Sequence, residues 1–242
     1  MVCRQIRHYS ISSGELSVSQ RSIVGSMKQL LMVVIALLVA PSVSLSSRAQ
    51  SPAERAANVT DTEYQVLAAY ITDTFMGNKG QDRVGRQVSR IVIANKTQSD
   101  QEDQLIEDEN GKAIPWGKTS RFLHKQSSRL QTSTLNSFRD ANRHPAPLRR
   151  LFQLRLPYEL VDKAEFDAIF ENDGWWTDYY KKYPDSQGFL TLSRIGFSAD
   201  GKQAMFYSTN GCGGKCGTGT YVVMEKVGAS WQVVKEILIW VS

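Results

Sequence analysis

The chain contains 242 residues, of which 29 are basic and 24 acidic, so that its formal net charge is +5. Residues 1–49 hold five of the basic side chains and only one of the acidic ones, which leaves residues 50–242 close to electrical neutrality. This balance gives no support to a nucleic-acid-binding surface, and the length of residues 50–242 suits one well-packed domain.

The N-terminal segment has the features of a secretory signal peptide. Residues 30–40 form an apolar run about half as long as a membrane-spanning helix, and Lys28 precedes it. We predict a signal peptide over residues 27–49 that is cleaved after Ala49, with an uncleaved anchor as the alternative. Cleavage leaves no stable transmembrane segment and places the protein in the periplasm or outside the cell. Residues 1–26 form a polar stretch ahead of this leader and are interpreted as a mis-called N-terminal extension.

The first part of the remaining chain predicts one helix and one short strand. Residues 50–60 are small and polar, which indicates a flexible start of the mature chain. Apolar side chains recur at helical intervals over residues 61–75, with Asp61 as the expected N-cap. Branched residues over 91–94 predict a strand. The acidic stretch 98–117 contains an Asn110-Gly111 turn signal and is predicted to be an exposed loop or a poor hairpin. Its spacing does not fit a calcium-binding loop.

The middle of the chain predicts helices around one strand. The apolar residues of 119–142 indicate one amphipathic helix, which ends before Pro145. Alternating apolar and polar residues over 151–160 predict a strand with one buried face. Residues 163–170 and 175–183 predict two short helices.

Residues 165–185 interleave aromatic rings with carboxylates, as sugar-binding clefts and glycosidases do. The candidate ligand-binding aromatic residues are Trp175, Trp176, Tyr179 and Tyr180. The acidic residues of the same stretch, two of which a glycan hydrolase would need as a pair, are Glu165, Asp167, Glu171, Asp173, Asp178 and Asp185. The favoured alternative is that the rings form one buried helix face and that the carboxylates are only solvated.

The C-terminal part of the chain has the pattern of antiparallel strands. Apolar runs at 189–197 and 202–209 are joined by Asp200-Gly201, which is a strong hairpin signal. Two further strands meet around Gly228. The last of them, 231–241, is apolar on both faces, so we expect it near the middle of the sheet.

Arg194 is a further candidate residue, because it lies inside an apolar strand. Either its side chain crosses the sheet and pairs with an acidic residue, or it binds an anionic ligand on a concave face. The structural pair is the favoured interpretation.

Residues 210–220 read NGCGGKCGTGT, a glycine-rich loop between two predicted strands. A zinc site needs four ligands, whereas residues 50–242 contain two cysteines and, far away in sequence, His124 and His144. Three residues between the cysteines do not fit a thioredoxin-like pair, and the glycine spacing fits no phosphate loop. We therefore predict a disulfide between Cys212 and Cys216, since glycine permits the tight loop and export supplies an oxidising compartment.

These elements predict a single α+β domain over residues 61–242. Its centre is an antiparallel β-meander of residues 189–241, joined by strands near 90–95 and 151–160, with helices packed on one face. The more specific expectation is a helix packed in the concave face of a curved sheet, as in cystatin-like or nuclear-transport-factor-like folds.

Catalytic signatures are mostly absent from the sequence, and nothing in it supports a Ser-His-Asp triad, for which His124 and His144 are the histidines of residues 50–242. The nearest approaches to a G-x-S-x-G motif, starting at Gly196 and Gly228, both fail at the last position. The leading hypothesis is an exported, non-catalytic protein that binds a ligand or an envelope component and needs no cofactor or metal. The alternative is a hydrolase that acts on glycans of the cell wall through the carboxylates of residues 165–185.

The run YPDSQGFLTLSRIGFS, together with the terminal strand WQVVKEILIWVS, resembles an uncharacterised family of exported bacterial proteins. The resemblance covers roughly residues 60–242 and also includes the cysteine-bearing glycine-rich loop. It implies export and a bacterial source. It adds no catalytic residue, because no activity is established for that family.

Overall fold

The computed structural model describes residues 58–77, 87–99, 115–171 and 175–242. These residues form an α+β structure built on a mixed sheet, which confirms the predicted fold class. The predicted N-terminal extension, the signal peptide, most of the acidic loop 98–117 and Asp173 lie outside the described residues.

The sheet contains seven strands within the described residues. They are β1 (Arg90–Ala94), β2 (Tyr158–Val161), β3 (Ser186–Leu192), β4 (Gly196–Phe197), β5 (Gln203–Gly211), β6 (Gly217–Val227) and β7 (Ser230–Val241). Their order is β2-β1-β3-β5-β6-β7, with β4 paired to β5. β1 runs parallel to β2 and β3, whereas every pair from β3 to β7 is antiparallel. The C-terminal half is therefore the predicted meander, to which β1 and β2 add a parallel part.

Five helices accompany the sheet in the described part of the chain. They are α1 (Asp61–Phe75), α2 (Trp116–Gln126), α3 (Thr132–Ala141), α4 (Lys163–Ile169) and α5 (Trp175–Lys182). The N-cap of α1 is Thr60 and not the predicted Asp61: the Thr60 hydroxyl accepts from the Glu63 N–H, and the Glu63 carboxylate accepts from the Thr60 N–H. Val59 is buried, so the ordered fold begins before residue 61.

Residues 119–142, predicted as one helix, form α2 and α3 with a joint at residues 127–131. Gln203 of β5 holds this joint, because its Oε1 accepts from the Gln131 N–H and its Nε2 donates to the Arg129 carbonyl. Leu130 is buried in the joint among the apolar residues of both helices. The apolar spacing was therefore informative, but the hydrogen bonds that interrupt the helix come from a distant strand.

Helices cover both faces of the sheet, so the prediction that they pack on one face is wrong. α1 lies against the face that carries Ile91 and Phe206. α2 and α3 cover the opposite face at Met205 and Tyr207, while α4 and α5 cover it at Val92. Consecutive strand residues point to opposite faces, and because Met205 and Phe206 are both apolar, both faces need a cover. The likeness to cystatin-like or nuclear-transport-factor-like folds stays a prediction.

β7 is an edge strand and does not lie in the middle of the sheet as predicted. Ile237 is buried, but Leu238, Trp240 and Val241 are 57%, 40% and 66% exposed. Two register shifts interrupt the pairing of β6 with β7, and such bulges are common at sheet edges. Apolar composition does not distinguish a strand covered on both sides from an edge strand whose side chains line surface cavities.

Both predicted hairpins are confirmed, although the first strand of the first hairpin is interrupted. Gly201 and Gly228 stand in the two turns with φ of +66° and +61°, a conformation that costs glycine little. The predicted strand 189–197 divides into β3 and β4, and Arg194 lies in the gap between them. In the predicted strand 151–160 the apolar alternation is present, but β2 begins only at Tyr158.

Candidate functional site

Arg194, a candidate ligand-binding residue, forms a buried ion pair. Its Nε and Nη2 donate to the Glu63 carboxylate over 3.0 and 2.8 Å, and Nη2 also donates to the Asn58 carbonyl. The side chains of Arg194 and Glu63 are 9% and 2% exposed. Of the two interpretations of Arg194, the structure shows the pair with an acidic residue. The pair connects the start of α1 to the gap between β3 and β4.

The aromatic residues of α5 pack mainly as a core between this helix and the sheet. Tyr179 is fully buried with its ring 5.2 Å from that of Trp176, and burial raises the pKa of Tyr179 above its ordinary value. The Tyr180 hydroxyl donates to the Cys212 carbonyl over 3.0 Å, which connects α5 to the glycine-rich loop. Trp175 is exposed at the start of the helix.

Three of the candidate carboxylates form ion pairs with lysines at the surface. The pairs are Glu165–Lys182, Asp167–Lys163 and Asp178–Lys181, with N–O distances of 2.7–2.8 Å. Hydrogen bonds from Lys182 and Tyr183 hold the pKa of Glu165 below its ordinary value. Glu171 and Asp185 are exposed. Each paired carboxylate thus faces a lysine, whereas glycoside hydrolysis uses two carboxyl groups on opposite sides of the scissile bond.

Cys212 and Cys216 lie at disulfide distance, with their Cα atoms 5.0 Å apart, as the sequence predicts. The Cys212 N–H also donates to the Cys216 carbonyl over 3.0 Å, so the backbone closes a small ring of its own. The loop follows directly on the pair Gly211–Gly217, the last pair of the β5–β6 ladder. The cysteines therefore close the end of a hairpin.

Replacing Cys212 and Cys216 by serine is expected to lower the free energy of unfolding by about 2 kcal/mol or less, because a ring this small restricts the unfolded chain little. Amide hydrogen exchange should accelerate mainly over residues 210–219. Chemical denaturation and exchange measured by mass spectrometry check both points. Two alkylatable thiols in protein recovered without reductant would contradict the disulfide itself.

Glycines beyond the disulfide loop provide a flat surface for the indole of Trp240. A Cβ at Gly217 would lie 2.9 Å from Trp240 Cζ3, and one at Gly219 would lie 2.5 Å from Cε2. Atoms at both ends of the indole are therefore in close contact with the backbone of β6. Trp240 Nε1 donates to the Tyr207 hydroxyl over 2.8 Å. Burial raises the pKa of Tyr207 to about 12, so this hydroxyl is protonated near neutral pH.

Substituting alanine for Gly219 is expected to displace the indole of Trp240 and to break its hydrogen bond to Tyr207. The new Cβ would overlap both groups, and overpacking of this kind costs about 1–3 kcal/mol. The indole N–H resonance of Trp240 in NMR spectra and the denaturation midpoint measure the effect. Gly214→Ala is the matched control, because a Cβ there meets nothing within 4 Å. Equal behaviour of the two variants would contradict the proposed contact.

The indole forms one wall of a cavity of about 350 Å³, called here the Trp240 pocket. The other lining residues are Ala94, Asn95, Lys96, Thr97, Gln98, Asp162, Lys163, Phe166, Phe189, Thr191, Thr209 and Gly211. The pocket lies where β1 and β2 end, and crevices at the carboxyl ends of parallel strands are common ligand sites. Its volume lies at the lower end of the range for small-molecule sites, about 300–1,000 Å³.

Asp162 brings a fixed negative charge to the Trp240 pocket. Its carboxylate accepts from the Ala164 N–H over 2.9 Å and from Asn95 Nδ2 over 3.1 Å. These two bonds, and then the charge of Lys96, hold the pKa of Asp162 below its ordinary value. The carboxylate is therefore ionised at neutral pH and accepts hydrogen bonds there.

Apart from Lys96 and Lys163, the remaining polar side chains of the pocket are uncharged. The hydroxyls of Thr191 and Thr209 form a hydrogen bond with each other on the surface of the sheet. Gln98 has a buried side-chain oxygen without a hydrogen-bond partner. Threonine and amide side chains both donate and accept, so this surface suits a ligand with groups of both kinds.

Larger cavities lie elsewhere on the protein. One of about 850 Å³ runs along α1 beside Trp231, and none of the partnerless buried polar atoms of the described residues belongs to its lining. Another, of about 590 Å³, lies on the α1 face of the sheet at Asn210, whose buried Oδ1 has no partner. Trp231 is only 9% exposed, whereas the Trp240 pocket combines an indole that is 40% exposed with the partnerless buried oxygen of Gln98.

Sequence reasoning missed the residues of the Trp240 pocket. A signal was present in the alternation of Gly217 and Gly219 within a strand, because glycines at alternate strand positions indicate close approach of another group to one face. The partner of these glycines is Trp240, which follows them in the next strand. The ligand-binding candidates from the sequence lie in α5 and at Arg194, and neither they nor the candidate carboxylates of the described residues line this pocket.

Comparison of the chain with family models, curated proteins and solved structures gives no significant match. The resemblance to a family of exported bacterial proteins therefore stays a prediction. In the part of the chain that the structure describes, no helix is long and apolar enough to cross a membrane. The same residues contain no group of three or more His, Cys, Asp or Glu side chains that could hold a metal ion.

Proposed function

We propose that the protein is an exported, non-catalytic binding protein whose ligand, a small molecule or a group of a cell-envelope component, occupies the Trp240 pocket. The observation that carries this proposal is the fixed position of Trp240. Its ring lies on glycines and is hydrogen-bonded to Tyr207, yet it remains 40% exposed at an open cavity. A preformed aromatic wall beside a few convergent polar groups is the usual composition of a small-molecule site.

The polar groups of the pocket suit binding better than catalysis. Asp162 is the carboxylate of the pocket lining, and because its pKa lies below its ordinary value it holds no proton to donate at neutral pH. Histidine, cysteine and serine do not occur among the described residues that line the pocket. The described lining therefore contains no Ser–His or Cys–His pair to act as nucleophile and base.

Export is proposed from the signal-like residues 27–49 and from the cysteine pair. A disulfide between Cys212 and Cys216 persists in an oxidising compartment, such as the periplasm or the extracellular space. The resemblance to exported bacterial proteins points in the same direction and suggests the cell envelope as the source of the ligand.

An NMR titration of the isotope-labelled protein with a digest of bacterial cell wall tests the proposal. We expect the indole N–H signal of Trp240 and the amide signals of Thr191 and Thr209 to shift, while the indole signal of Trp175 stays in place. Mass spectrometry of the digest before and after the titration should show the same composition. Shifts confined to other surfaces would overturn the assignment of the site, and conversion of the digest into smaller products would overturn the non-catalytic assignment.

A further inference from the structure

We infer that the ligand of the Trp240 pocket is a saccharide, with one sugar ring stacked on the indole of Trp240 and its hydroxyl groups bound by the surrounding amide, carboxylate and threonine side chains. This inference rests on the proposed function, since it names the ligand class of the same site.

The indole of Trp240 offers an apolar face and no free donor. Its Nε1–H is already bound to the Tyr207 hydroxyl, and its ring is held against Gly217 and Gly219. The contact available to a ligand is therefore stacking against the π-system, which attracts weakly positive C–H groups. A pyranose presents C–H groups on its faces and hydroxyls around its edge, so it matches this wall.

The groups around the indole match hydroxyls in particular. Asn95 uses one amide hydrogen on Asp162, which leaves its second amide hydrogen and further lone pairs of the Asp162 carboxylate for a ligand. Thr191 and Thr209 share one proton in their mutual bond, which leaves one hydroxyl donor and several lone pairs. Donors and acceptors thus alternate over short distances, and each sugar hydroxyl both donates and accepts.

The charges of the pocket argue against phosphorylated and purely apolar ligands. Lys163 is paired with Asp167, and Lys96 forms no ion pair within the described residues but lies close enough to Asp162 to lower its pKa. One accessible cation beside one fixed carboxylate gives no net positive charge, whereas phosphate sites collect several cations or N–H donors. An apolar chain would displace water from the Asp162 carboxylate and offer it no hydrogen bond beyond those from Ala164 and Asn95.

Isothermal titration calorimetry of the purified protein provides the test. The saccharide probes are oligomers of N-acetylglucosamine, of glucose and of glucuronic acid, and the other probes are adenosine monophosphate, free amino acids and octanoate. We expect at least one saccharide to bind, and Trp240→Ala to weaken it about tenfold or more through loss of stacking. Trp240→Phe should retain part of the affinity. Trp175→Ala, which removes an exposed indole outside the pocket, should leave it unchanged.

A second substitution keeps the test decisive if Trp240→Ala perturbs the fold. Thr209→Val preserves the side-chain shape and removes one hydroxyl, and we expect it to weaken saccharide binding several-fold without changing the denaturation midpoint much. Lys96→Ala separates acidic from neutral sugars, because it should weaken only the glucuronic acid oligomers.

The outcomes separate this inference from the proposed function. If only a non-saccharide probe binds and Trp240→Ala abolishes that binding, the ligand class is wrong and the binding function stands. If saccharides bind to Trp240→Ala and to Thr209→Val as tightly as to the unmodified protein, the assignment of the binding site is wrong. If no probe shows binding that depends on Trp240, the inference and the proposed function both fail.

Discussion

Replacing Glu63 by alanine is expected to lower the free energy of unfolding by about 3–5 kcal/mol, because it leaves a buried guanidinium without its counter-ion. The Glu63 carboxylate accepts from Arg194 Nε and Nη2, from the Ile195 N–H over 3.2 Å and from the Thr60 N–H over 2.8 Å. All of these donors lose their acceptor together in the variant. Denaturant unfolding of the purified protein, followed by circular dichroism, measures the change.

Two control variants distinguish the buried pair from other effects. Glu159→Ala removes the partner of Arg90 from a pair whose side chains are 33% and 42% exposed, and such a pair contributes about 1 kcal/mol or less. Thr60→Ala removes only the hydroxyl of the helix cap, at a cost of about 1 kcal/mol. If Glu63→Ala costs no more than these controls, the ion pair with Arg194 contributes no more to stability than an exposed pair or a helix cap.

The sequence predicted that Arg194 pairs with an acidic residue, but it did not identify that residue as Glu63. A charged residue inside an apolar strand needs a partner, so a pair involving Arg194 was the favoured expectation. The identity of the partner did not follow, because Glu63 lies 131 residues away. Glu63 also belongs to the capping box of α1, and no local pattern indicates that one carboxylate serves both a helix cap and a distant arginine.

Local signals predicted the single elements well and their arrangement less well. The hairpin turns at Gly201 and Gly228 follow from backbone conformations that favour glycine, and these were correct. The position of β7 at the edge and the helices on both faces depend on which strands become neighbours. That choice rests on contacts such as those between β1 and β3, which are distant in sequence and leave no periodic signal within one strand.

The candidate site was predicted least well, because the most conspicuous residues serve the core. The rings of α5 are numerous and close together in the sequence, yet Tyr179 is buried and Trp176 packs against its neighbours. Trp240 is a single ring in an apolar strand, and its exposure results from the edge position of β7. The local sequence signal for the position of Trp240 is the pair of alternate glycines, Gly217 and Gly219, in the neighbouring strand.

The packing of α3 on the sheet depends on a glycine. A Cβ at Gly196 would lie 2.5 Å from both the Cα and the Cβ of Phe138, and would also overlap the Phe138 backbone nitrogen. Phe138 is fully buried, with its ring 5.7 Å from that of Tyr221. A hydrogen bond from the Phe197 N–H to the Ser137 hydroxyl, 3.1 Å long, joins the same two elements. Helix α3 therefore lies directly against β4 at this point.

Gly196→Ala is accordingly expected to lower the free energy of unfolding by about 3 kcal/mol or more, since the overlap is with helix backbone and no flexible side chain can move aside to relieve it. Displacement of α3 should also weaken the packing of Phe138 on Tyr221, which near-ultraviolet circular dichroism reports. Gly117→Ala is the control, because a Cβ there meets nothing within 4 Å, and in a helix alanine is favoured over glycine by up to about 1 kcal/mol. A Gly196→Ala protein that unfolds at the same denaturant concentration as the unmodified chain would show that α3 does not lie against β4 in this way.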